Sequence, residues 1–158
     1  MTPRNFLATA EDLAGSDRRG RPRQTNLRRA VSTTYYALFH CLATCCANML
    51  VGGPRSDRSR PAWGQTYRAL RHGTARQRCE RLAIISRFPA AIQDFAQLFS
   101  EMQAKRHAAD YDPYAAFSKS DVLQGIAAAA AIIDLFNATP ARDRRAFAVY
   151  VRLDARNN

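Results

Sequence analysis

Two apolar stripes lie side by side between Val31 and Leu50, and no other stretch restricts the fold as much. Val31, Tyr35, Leu38, Leu42, Cys45 and Met49 recur at steps of 4, 3, 4, 3 and 4. Tyr36, Phe39, Ala43, Cys46 and Leu50 follow beside them at 3, 4, 3 and 4. The spacing is that of an α-helix; a strand would alternate every second residue. Asn26 stands where it can cap this helix, and Gly52-Gly53-Pro54 ends it. Two adjoining stripes make an apolar face wider than one neighbour covers. The helix is therefore expected to touch its own core on one side and a second copy of the chain on the other.

The remaining elements also read as helices. Residues 3–14 form a short amphipathic opener, and Gly15 to Arg23 is a basic Gly/Pro/Arg loop. A second basic loop runs from Arg55 to Arg60. Pro61 starts a helix expected to reach about Arg81, with Gly73 as its weak point. Pro89 opens another, with Phe88, Ile92, Phe95, Phe99 and Met102 on one face, closed by Pro113. Ser118 or Ser120 caps a helix through about Asn137, whose core face reads Val122, Ile126, Ala129, Ile133 and Phe136. Thr139-Pro140 starts a last helix to about Leu153; its run Ala146 to Val151 could be extended, but no partner strand is evident. The expectation is an all-α single domain over 1–158, an antiparallel four-helix bundle with its core at about 24–137. A short N-terminal helix and a C-terminal helical extension complete it. A chain of 158 residues buries roughly 70% of its unfolded surface, enough for such a core.

Composition narrows the class of function. Glu11 and Asp12 interrupt the N-terminal apolar residues before a signal-peptide core forms, and the longest wholly apolar run is Ile126 to Ile133. The expected location is the cytoplasm, with no membrane partner. Cys41, Cys45, Cys46 and Cys79 are not spaced as a disulfide framework, and His40 and Cys41 point about 100° apart on a helix. Buried reduced thiols and no metal site are expected. Basic residues outnumber acidic ones 24 to 13, and the excess lies in one half of the chain. Residues 18–87 hold 15 Arg against Asp57 and Glu80, a net of +13, whereas residues 88–158 balance. Such a field attracts phosphate polymers or an acidic partner; an arginine-rich solvated surface is the plainer account.

Arg106 falls on the next core-facing position after Met102, so its guanidinium needs a carboxylate or a phosphate. Asp110, one turn on, is the nearest carboxylate, and His107 and Tyr111 form a second pair on the adjoining face. These four are the candidate catalytic residues; a buried Arg–Asp clamp with an exposed His107 is the plainer alternative. On the first long helix Arg28, Arg29 and Ser32 precede Tyr35 and Tyr36, and His40 stands one turn further. The tyrosines read as core residues whose hydroxyls need partners, which Arg106 or Asp110 can supply.

The string Arg28-Arg29-Ala30-Val31-Ser32-Thr33-Thr34-Tyr35-Tyr36-Ala37-Leu38-Phe39-His40 resembles the first core helix of the HEPN family (higher eukaryotes and prokaryotes nucleotide-binding). Arg106, Asp110, Tyr111 and Pro113 resemble the end of that family's third core helix. The resemblance covers about residues 24–137. It implies a four-helix bundle that dimerises through the motif-bearing faces, with two copies of Arg106 at a shared cleft. Ribonuclease members carry an arginine followed by a histidine with four to six residues between them, and none of His40, His72 and His107 is preceded by an arginine at that spacing. The expected function is a homodimeric module binding RNA or a nucleotide through Arg28, Arg29, Tyr35, Tyr36, His40, Arg68 and Arg71. With catalysis by Arg106, His107, Asp110 and Tyr111 it becomes a metal- and cofactor-independent endoribonuclease of a toxin–antitoxin or defence system. The rival expectation is a non-catalytic interaction protein beside a nucleotidyltransferase-like chain; an assembly module with an acidic partner is the third.

Overall fold

In the computed structural model, which describes residues 1–15 and 19–155, every regular element is helical. Arg18 of the basic loop lies outside the described residues. Helix α1 spans Pro3–Ala14; Thr2 caps it by accepting from the Asn5 amide, and Gly15 ends it in the left-handed conformation. Helix α2 is Gln24–Leu50, 27 residues long. It begins two residues before Asn26, which is not its cap. Instead the Gln24 side-chain amide donates to the Phe117 carbonyl at 2.7 Å and accepts from the Phe117 amide at 3.0 Å. A tertiary contact thus anchors the first turn. After α2, Gly52 adopts φ 140°, and a Cβ there would stand 2.3 Å from the Ser56 hydroxyl.

The helix expected from Pro61 to Arg81 is three pieces: α3 (Arg60–Arg68), α4 (His72–Glu80) and α5 (Leu82–Ile85). The break falls at Ala69–Arg71, not at Gly73, which is the second residue of α4. Arg152, far along the chain, takes the Ala69 carbonyl at 2.7 Å, and Leu70 is buried. Helix α6 is Ala90–Tyr111, ended where Asp112 turns extended before Pro113. Helix α7 is Lys119–Ala138, with Ser118 as its cap through the Asp121 amide at 3.0 Å. Helix α8 is Ala141–Arg152, so the Ala146–Val151 run is helical.

Helix α2 is the axis on which the others assemble: α1, α3, α6, α7 and α8 all pack against it. The opener and the terminal helix are therefore part of one core. Phe147 of α8 lies edge-on to Phe136 of α7, which stacks on Phe95 of α6 at 4.3 Å. This arrangement also changes the account of the second stripe on α2. Ala43 and Cys46 are fully buried, and Phe39 stacks on His72 of α4 at 4.0 Å. The chain's own helices thus cover part of this apolar width, while Tyr36 and Phe39 stay half-buried and Leu50 exposed.

Among the described residues α7 alone is long and apolar enough to cross a membrane, with 20 residues and a mean hydropathy of 1.4. Gln124, Gly125 and Asp134 interrupt its sequence, so it holds no long unbroken apolar run. Its apolar face, Val122, Ile126, Ala129, Ile133 and Phe136, is packed into the core.

Candidate functional site around Arg106

Ile92, Phe95, Phe99 and Met102 are buried along one face of α6, and Arg106 continues that row. Its Nε donates to Asp110 Oδ2 at 3.0 Å, and the two side chains keep 19% and 31% of their surface exposed. The other Asp110 oxygen accepts from the Ser32 hydroxyl on α2. The guanidinium carbon lies 5.7 Å and 5.5 Å from the ring centres of Tyr35 and Tyr36. No described group accepts a hydrogen bond from the two terminal nitrogens of Arg106. One arginine thus joins α6 to α2 through its Nε and ring contacts.

Tyr35 is completely buried, and its hydroxyl meets Nδ1 of His72 at 2.6 Å. Burial pushes the Tyr35 phenol well above its usual range, with Arg106 opposing, so it stays protonated. His72 is held between Phe39, stacked at 4.0 Å, and the edge of Tyr36 at 6.0 Å. Burial lowers its pKa, and the charges of Arg106 and His40 lower it further. His72 is the residue that sequence reasoning missed. It follows a helix break that a long-range contact creates, and no periodicity points to it.

His40 belongs to a neighbouring column of stacked groups. Its ring lies parallel to Phe6 at 4.7 Å, and its Nδ1 meets the Tyr67 hydroxyl. Tyr67 stacks on Trp63 at 5.1 Å, and the Arg58 guanidinium lies over the Trp63 ring at 4.8 Å. Burial lowers the His40 pKa, with the N-terminal amine contributing. His40 therefore ties α1, α2 and α3 together.

The sequence-derived candidates divide into groups. Arg106, Asp110, Tyr35 and Tyr36 come together, joined by Ser32 and His72. His107 and Tyr111 form their own pair, with ring centres 5.0 Å apart on an exposed face. Arg28 is a clamp: its two terminal nitrogens donate to the carbonyls of Ala109 (3.1 Å), Asp112 (2.8 Å), Pro113 (3.3 Å) and Ala115. Arg29, Arg68 and Arg71 are exposed and have no carboxylate partner among the described residues. The four cysteines are free and buried; burial raises Cys45 to about 11 and Cys46 and Cys79 to about 12. No group of three His, Cys, Asp or Glu residues among those described is placed to hold a metal ion. Compared with protein-family models, curated proteins and solved structures, the chain matches none.

Proposed function

We propose that this chain is a HEPN-like module that binds RNA or a nucleotide as a homodimer, with the cleft at Arg106 receiving a phosphate. In this reading α2, the α3–α4 pair, α6 and α7 correspond to the four core helices of that family. The observation that carries it is the state of Arg106. Its Nε is committed to Asp110, its guanidinium lies over two tyrosines, and its terminal N–H groups have no acceptor among the described residues. A guanidinium fixed on one edge and free on the other suits bidentate recognition of a phosphate. The net charge of +13 over residues 18–87 supplies the attraction that brings a polyanion to it. Endoribonuclease activity of a toxin–antitoxin or defence type extends the same reading.

One observation favours a non-catalytic role, as in the rival reading of an interaction protein beside a nucleotidyltransferase-like chain. The contacts of Arg106 and Asp110 with α2 also serve as a structural clamp. The two separate in a pair of measurements on Arg106→Ala. The ion pair is partly hydrated, so its loss is expected to cost only about 1 kcal/mol in a urea melt. RNA affinity at low salt is expected to fall at least tenfold. Affinity of the wild type should drop steeply with salt, as counterion release requires. A large stability loss with RNA binding retained by the folded fraction returns Arg106 to a structural role. Light scattering at tens of micromolar tests the dimer; Phe39→Arg is no test, because Phe39 is packed on His72 within the chain.

A further inference from the structure

Where the break between α3 and α4 meets the end of α8 there is a hollow of about 310 Å³, at the low end of the range for small-molecule sites. Arg71 and Thr74 line it from the start of α4, and Arg152 and Asp154 from the end of α8; none of them belongs to the Arg106 cluster. Arg152 is braced at the break, with one terminal nitrogen donating to the Ala69 carbonyl at 2.7 Å. Its Nε is buried without an acceptor, and its other terminal nitrogen has none among the described residues. Buried donors normally find a partner, and a guanidinium with donors left over is relieved by an anion.

The rest of the lining has the same character. Arg71 is exposed and makes no ion pair among the described residues. Thr74 adds a hydroxyl. The first turn of α4 holds no acidic residue and no side-chain cap, and its first backbone bond to Arg71 comes from the Ala75 amide. The amides of this helix end reinforce the two guanidinium groups rather than make the site alone. Asp154 is the one acidic side chain of the lining, and its carboxylate accepts from Arg78.

We propose that this hollow is a phosphate site, separate from the Arg106 cleft, which takes the dianion of inorganic phosphate or of a phosphomonoester between Arg71 and Arg152. Guanidinium forks match phosphate oxygens, and Arg152 is already fixed in place by the Ala69 carbonyl. Arg71 has no ion pair to give up. The charge of +13 over residues 18–87 draws anions to this side of the chain and disfavours cations. Asp154, 89% exposed at the rim, opposes a dianion, so its charge sets how tightly the site binds. A phosphate held there ties the α3–α4 break to the end of α8.

The experiment titrates ¹⁵N-labelled full-length protein with sodium phosphate at pH 7.5, with sodium chloride holding the ionic strength constant, and follows the amide signals of Gly73 and Thr74. Saturable shifts are expected, with a Kd of about 1 mM or tighter. Arg71→Ala should weaken binding about tenfold or more, because a charged hydrogen bond to the ligand is lost. Asp154→Asn should tighten it severalfold, a gain that a merely structural role does not give. Arg106→Ala should leave the shifts in place. AMP and adenosine separate the sources. AMP binding more tightly than phosphate, with adenosine silent, assigns a phosphomonoester; AMP binding no more tightly assigns free phosphate, and either result upholds the site. Shifts that do not saturate, or that chloride alone reproduces, overturn the proposal, as does adenosine binding as well as AMP. Unchanged affinity in Arg71→Ala or in Asp154→Asn also overturns it. If Arg106→Ala abolishes the shifts, the phosphate occupies the cleft, and the hollow is not a site while the cleft reading stands.

Discussion

Replacing Arg28 with alanine removes a guanidinium that gathers four backbone carbonyls where α6 ends and the chain turns toward α7. Two of these, on Asp112 and Pro113, belong to exposed residues and can take water instead. The other two, on buried Ala109 and half-buried Ala115, lose a charged donor with poor access to solvent. A hydrogen bond from a charged group contributes about 1.5 kcal/mol at the low end of its range, so these two account for about 3 kcal/mol. The loss of a cation at the carboxyl end of α6 adds about 0.5 kcal/mol. With a urea m-value of about 2 kcal/mol/M, the midpoint should fall by about 1.7 M. Arg28→Lys should recover less than half, because an ammonium is a point donor that does not span carbonyls from Ala109 to Ala115. The assay is urea denaturation followed by far-UV circular dichroism, with amide exchange at 113–117 as a local readout. A loss below about 1 kcal/mol, together with a large loss of RNA affinity, would refute the clamp and return Arg28 to the nucleic-acid contact expected from its sequence position.

The two half-buried histidines predict a dependence on acid. His40 and His72 have folded-state pKa values below the ordinary 6.5, so the unfolded chain takes up protons first as pH falls. Above 6.5 their contribution is constant; below it stability should decline through the window down to the folded values. Urea midpoints at pH 7.5 and 5.5 test this, and His40→Gln or His72→Gln should reduce the difference. The cysteines predict chemical inertness: with Cys45 near 11 and Cys46 and Cys79 near 12, thiol reagents at pH 8 should label the native protein slowly and all four sites rapidly in denaturant. Rapid labelling of the native state would show that α2 opens around them.

Local chemistry in the sequence determined the helices and most of their ends. The stripes on α2, α6 and α7 are buried as their spacing requires, Ser118 caps α7, and Pro113 stops α6 by forcing Asp112 out of helical conformation. The pairing of Arg106 with Asp110 was also legible, because residues four apart on a helix share a face. What the sequence could not contain is which surface meets which. Gln24 sets the start of α2 by bracketing Phe117, 93 residues away, and Arg152 ties off the break between α3 and α4 from 83 residues away. How much of the broad face of α2 the chain covers itself was not legible, because periodicity counts apolar positions and says nothing of how many helices the same chain will lay over them. Arg28 read as a nucleic-acid contact, since four carbonyls that converge in space leave no pattern along the chain. The place of His72 beside Tyr35 was hidden for the same reason. Its neighbours Tyr35, Phe39 and Arg106 lie on α2 and α6, and only the packing of α4 against α6 and beside α2 brings the imidazole to them.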